Sequence, residues 1–172
     1  MTRRIFFFLL ILLPVLMASA EESDGNTYPT AERLFYITRS VNRNLVCYDV
    51  RLADGRLDTR QPMEVYWINR EERMGERNGL NYIQRKLAYG YKVVSKGEDR
   101  CECSLSAYPD RTLTIERKGA SYVCYMTIDG QRALLRSLYV KTASKNPMSV
   151  EYVELRGTST LTGQPITERI RK

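Results

Sequence analysis

A chain of 172 residues with 27 Lys and Arg, 20 Asp and Glu and no histidine has room for one ordinary domain. It has no Ser–His or Cys–His catalytic pair, no histidine-ligated metal and no imidazole pH switch. The formal net charge of +7 is spread along the chain with acids interleaved, whereas nucleic-acid binding shows as a clustered basic patch or a motif, so nucleic acid is not expected as a partner.

The chain opens with the pattern of an export signal. Arg3 and Arg4 precede an apolar stretch over 5–17, and Ala18-Ser19-Ala20 supplies the small residues of a cleavage site. Cleavage of 1–20 starts the mature chain at Glu21 and leaves 25 basic against 20 acidic residues, a net +5. No later stretch is long and apolar enough to cross a bilayer, which takes about 20 apolar residues. No cysteine follows the signal to carry a lipid. The expectation is a soluble protein in the periplasm or outside the cell, not a lipoprotein, with no transmembrane span once the signal is removed.

Residues 21–33 are polar and aperiodic and read as a flexible leader. A single β-rich domain is expected over 34–160, with a C-terminal tail over 161–172 that lies on the surface or adds a short edge. Its first strand spans 34–38 and closes at a turn formed by Asn42-Arg43-Asn44. The second, 45–52, ends at Asp54-Gly55, a hairpin signal. The third, 63–68, is entered through Pro62. Residues 70–77 are nearly all charged and read as a solvated loop.

The period then changes. Leu80, Ile83 and Leu87 fall at helical spacing, which predicts one amphipathic helix of about three turns packed over the sheet. Asn78 would cap it and Gly90 would close it in the left-handed conformation. Further strands follow at 91–95, 102–107, 112–117, 121–128, 132–142 and 150–156. Turn signals separate them, among them Pro109-Asp110, Asp129-Gly130 and Lys145-Asn146-Pro147. The fold class is mainly β: an antiparallel, up-and-down, barrel-like (calycin-like) domain, or a two-sheet β domain, with one covering α-helix.

Cys47, Cys101, Cys103 and Cys124 are an even set, which in an oxidising compartment suggests disulfides. Cys101 and Cys103 share a strand face and are poorly placed to pair with each other. Two bridges would join Cys47 to one of them and Cys124 to the other, and a single bridge with two thiols is the alternative. Zinc lacks the usual ligand spacing, so no metal is expected.

Tyrosine is abundant, with 12 copies against four Phe and one Trp. One reading is a filled core whose hydroxyls reach the polar end of a barrel. The sharper reading is an aromatic-lined cavity for a small apolar or sugar ligand. Its candidate residues are Tyr48, Asp49, Tyr66, Trp67, Arg85 and Tyr89. Tyr82, Arg85 and Tyr89 are expected along one helical face, and Asn42, Arg43 and Asn44 could present a guanidinium and two amides to an anion or form a self-bonded turn. No catalytic residue stands out. Asp49, Glu64, Glu151 and Glu154 show no spacing that fixes two carboxyls across a substrate, and Ser-x-x-Lys and Gly-rich phosphate motifs are missing. No cofactor is implied.

The segments RLFYITRSVNRNLVCYD, PMEVYWI and QRKLAYGYKV carry a likeness. Over roughly 34–155 the chain resembles the bacterial family known as domain of unknown function four-eight-three-three, associated with secreted proteins of the Bacteroidetes. The most specific parts are Asn42-Arg43-Asn44 with Tyr48-Asp49, the Tyr66-Trp67 pair and Arg85-Lys86-Leu87-Ala88-Tyr89-Gly90. The resemblance implies a fold unit and a compartment and carries over no catalytic residues. The functional expectation is a binding or interaction module of the cell envelope, its partner a small apolar ligand, a glycan or an envelope protein. The alternatives are a carboxylate- or Tyr-dependent hydrolytic enzyme and a structural envelope component.

Overall fold

Alternating Val, Ile, Tyr and Thr residues favour extended backbone that buries one face, and in a computed structural model this chain follows that pattern over most of residues 32–143 and 146–171, the residues described. The expected signal, most of the leader and part of the turn expected at 145–147 lie outside them. Strands β1 (Arg33–Arg39) and β2 (Asn42–Val50) form a hairpin, and β3 (Leu52–Ala53) with β4 (Arg56–Leu57) forms a small separate one. After β5 (Met63–Ile68) and β6 (Arg77–Gly79) comes a short helix, α1 (Tyr82–Gln84), which runs on into a π-helical turn (Arg85–Tyr89). The meander β7 (Tyr91–Gly97), β8 (Arg100–Leu105), β9 (Tyr108–Lys118), β10 (Ser121–Ile128), β11 (Gln131–Ala143), β12 (Asn146–Ser159) and β13 (Pro165–Arg171) completes the chain.

The sheet order is β6-β5-β2-β1-β11-β10-β9-β8-β7, with β12 and then β13 added along β11. The sheet curls into a half-barrel, the barrel-like, mainly β fold expected. One pairing departs from up-and-down order: β1 lies parallel to β11. Thirteen residues make β11 about 40 Å long at ~3.3 Å per residue. Its first part takes β10, its second part takes β1, and a bulge between Leu135 and Ser137 divides them.

Turn chemistry explains several junctions. Asp54 and Asp129 adopt φ of 52° and 47°, each followed by a glycine at 75° or 73°, the pair of left-handed positions that matches strand twist. Two expected turns are strand instead. Pro109 and Asp110 sit inside β9, where 109–111 bulge out between the pairs Leu105↔Tyr108 and Ser104↔Thr112, so the missing proline N–H breaks no ladder. Asn42-Arg43-Asn44 opens β2 rather than turning the chain. Residues 165–171 form an edge strand along β12.

The concave face holds the core. Phe35 and Tyr48 stack with centroids 4.3 Å apart, among buried Leu113, Ile115, Leu135 and Leu155. Burial of each such side chain is worth roughly 1.5–3 kcal/mol. The β3–β4 hairpin is pinned over this core: the Leu57 N–H donates to the Tyr122 hydroxyl at 3.0 Å, and that hydroxyl donates to Asp99 at 2.7 Å.

The cysteines do not show the expected pairing. All four thiols are buried and free. Cys47 lies on the outer face with Leu45 and Tyr66, while Cys101, Cys103 and Cys124 belong to the concave core. The sheet separates Cys47 from its expected partners. Cys101 and Cys103 do share a face, with sulfurs 3.9 Å apart.

The helix is also shorter and differently capped than its spacing suggests. Asn81, not Asn78, is the N-cap; its side chain accepts from the Gln84 N–H at 2.8 Å, and Gln84 Oε1 accepts from the Asn81 N–H at 3.0 Å. Gly90 is extended at φ −71°. Glycine is required there because a Cβ would stand 1.9 Å from the Arg85 carbonyl oxygen. Gln84, Ala88 and Tyr89 of this segment are its more buried residues, while Ile83 and Leu87 stand 65% and 66% exposed along the open groove.

Candidate functional site

Between the helical segment and the sheet runs an apolar groove of about 390 Å³. Its floor follows from register. Ile37 on β1 pairs with Leu138 on β11, and Arg39 pairs with Val140, which faces Val153 on β12. These side chains share the concave face by strand alternation. Ile83, Gln84, Leu87, Ala88 and Tyr89 form one wall; Leu105, Ala107 and Tyr108 form another at the corner of β8 and β9. Among the described residues no carboxylate lines the groove.

The wall is moored by aromatic residues singled out in the sequence. Tyr48 donates its buried hydroxyl to the Tyr89 carbonyl at 2.8 Å. Trp67 packs edge-on against Tyr89 at 5.1 Å and points its indole N–H at Gln84 Oε1 at 3.4 Å. The Ser106 N–H donates to the Gly90 carbonyl at 2.8 Å and ties the far end to β8. Burial pushes the Tyr48 phenol well above its ordinary range, and burial also raises that of Tyr89 against the opposing effect of Arg39, which shares a side-chain hydrogen bond with it. Both phenols stay protonated at neutral pH. The groove therefore offers an apolar body with a guanidinium, two phenols and an amide as its polar groups.

The other expected site residues are elsewhere. Asp49 and Tyr66 lie on the outer face, where Arg33 bridges to Asp49 Oδ1 and donates to the Tyr66 hydroxyl at 3.0 Å, and that hydroxyl donates to Asp49 Oδ2 at 2.5 Å. Burial, then the bond to Asp49, raises the Tyr66 phenol to about 12. Tyr66 and its sequence neighbour Trp67 thus point to opposite sides of β5. Asn42, Arg43 and Asn44 dock a loop: Asn42 Oδ1 accepts from the Asn44 N–H, Asn44 Oδ1 accepts from the Arg70 N–H at 2.8 Å, and the Arg43 N–H donates to Glu71 at 3.1 Å. Arg85 reaches back to the Leu80 carbonyl at 3.5 Å. It does not stack with Tyr82 or Tyr89; the cation near Tyr82 is Lys86, at 5.7 Å. Glu64 pairs with Arg77 at 2.8 Å, and Glu154 with Arg156 and Arg169 at 2.7 Å each.

Ile37, Arg39, Leu138, Val140 and Val153 carried no site signal. Apolar alternation marked Ile37, Leu138, Val140 and Val153 as strand interior and Arg39 fell just past the expected first strand, so only the parallel pairing of β1 with β11 assembles them into a floor.

Fold and groove together define a small β half-barrel domain with one helical wall. The family model described as Domain of unknown function (DUF4833) matches residues 35–169, and the chain belongs to that family. The match runs from β1 into β13 and includes the whole groove. No curated protein and no solved structure matches the chain. Among the described residues no helix is long and apolar enough to cross a membrane.

Proposed function

We propose that this protein is an exported binding module that takes a small, mainly apolar molecule into the groove between the 82–89 segment and the β1–β11–β12 floor. One observation carries the reading: three strands and a helical segment leave an apolar trough of about 390 Å³ unfilled, within the usual range of ligand pockets. Ile83 and Leu87 stand exposed at its rim, where an apolar ligand would cover them. Arg39, Gln84 and the Tyr89 hydroxyl supply the few polar contacts that orient a ligand. The export-signal pattern over 1–20 supports a location in the periplasm or outside the cell.

Titration with the apolar fluorophore 1-anilinonaphthalene-8-sulfonate tests the reading. The wild type is expected to enhance its emission saturably, while Leu138→Trp, which fills the floor, abolishes the enhancement with a native-like circular dichroism spectrum. Equal enhancement by the two proteins would rule out the groove. Native mass spectrometry of protein purified from its own cells then weighs the natural ligand.

A further inference from the structure

The outer face of the half-barrel carries a second, independent pattern. Tyr66, Cys47, Tyr36, Ser137 and Arg156 stand in one row across β5, β2, β1, β11 and β12. Tyr139, Glu154 and Arg169 form the next row, and Lys141, Tyr152 and Arg171 the third. Guanidinium groups lie over the tyrosines: Arg77 over Tyr66 at 3.4 Å, Arg169 over Tyr152 at 4.3 Å and Arg156 over Tyr139 at 5.6 Å. Cations over aromatic faces gain from the ring quadrupole while keeping their charge.

Charge on this face is unbalanced. Asp49, Glu64 and Glu154 are each engaged by arginine. Lys141 and Arg171 add further positive charge to the third row. Arg70, whose charge acts on Cys47 alongside those of Arg33 and Arg77, has a buried Nη2 with no hydrogen-bond partner, the one such side-chain atom among the described residues. A buried guanidinium nitrogen without an acceptor is costly. That nitrogen has almost no exposed surface, so an oxyanion meets it only when the Arg70 side chain shifts outward.

We propose that this outer face binds an anionic polysaccharide, with sulfate or carboxylate groups of successive sugars received by Arg70, Arg77, Arg156, Arg169, Lys141 and Arg171. A flexible chain with anions at intervals suits cations laid out over four strands, β6, β11, β12 and β13, and the loop after β5. Nucleic acid suits the face less well. A convex sheet offers no helix or ribbon to enter a duplex groove, and the rings of Tyr66 and Tyr152 on which bases would stack are covered by arginine.

Heparin, uncharged dextran and a single-stranded oligonucleotide are the probes, titrated against the full chain in 150 mM salt. Heparin is expected to bind and dextran not to bind. A triple variant, Arg77→Gln with Lys141→Gln and Arg171→Gln, leaves the Glu154 pairs intact and should lose at least about tenfold in heparin affinity with an unchanged melting temperature. Arg60→Gln, in the exposed loop before β5, should bind as the wild type does. Absence of heparin binding, equal binding of dextran, tighter binding of the oligonucleotide, or equal losses in the triple variant and Arg60→Gln would each overturn the proposal.

Discussion

The Tyr48 hydroxyl and the Tyr89 carbonyl are joined at 2.8 Å, linking a strand in the middle of the sheet to the end of the helical wall. Tyr48 is fully buried and stacked on Phe35, so this bond fixes the wall to the core. Tyr48→Phe keeps the ring and leaves the carbonyl unpaired. A loss of about 1–3 kcal/mol is expected, with faster amide exchange concentrated in 82–89. Exchange that rises evenly along the chain would show that the bond does not moor the wall.

Gly90→Ala tests the close approach at the end of the π turn. The new Cβ meets Arg85 backbone at 1.9 Å, whereas at Gly79 a Cβ meets nothing within 4 Å. Overpacking of this kind costs about 1–3 kcal/mol. Thermal melts should show a clear loss for Gly90→Ala and little change for Gly79→Ala.

Thiol chemistry separates burial from bridging. Burial raises the Cys47 thiol to about 11 and pushes Cys103 and Cys124 higher still, and the thiolate is the reactive form. The native protein should be inert to Ellman's reagent at pH 8. Unfolded in denaturant without reductant, it should release four equivalents per chain; two or none would establish disulfides.

Acid should weaken the fold through Glu154 and Asp99. Hydrogen bonds from Arg169 and Arg156 hold Glu154 below its usual 4.5, and the bond from Tyr122, then Arg117 and Arg56, holds Asp99 below 3.8. A carboxylate depressed in the folded state contributes its full stability above the unfolded value, and loses it as pH falls through the folded value. The melting temperature should therefore be nearly level from pH 7 to pH 5 and decline below about pH 4.5. Glu154→Gln should be less stable than wild type at pH 7 and show a shallower acid decline.

The strand content, the hairpin turns at Asp54-Gly55 and Asp129-Gly130 and the barrel-like class were legible because alternation and left-handed turn residues are local signals. Family membership was legible in the segments around Tyr48, Trp67 and Tyr89. The helix was only half legible. Leu80, Ile83 and Leu87 have α-helical spacing, yet Leu80 lies before the short helix and Ile83 and Leu87 stand exposed along the open groove. The site set was split for a related reason. Tyr66 and Trp67 are adjacent in sequence, and on a strand adjacency means opposite faces.

By itself the chain determined its class: period-2 apolar patterning commits it to a sheet, and the lack of histidine removes imidazole chemistry whatever the fold. Tertiary structure alone decided where function can sit. The groove exists because β11 is long enough to take β10 and β1 on one edge. That parallel pairing joins residues about 100 positions apart, as in Ile37↔Leu138, and no local pattern encodes a contact whose cost is the closure of so long a loop.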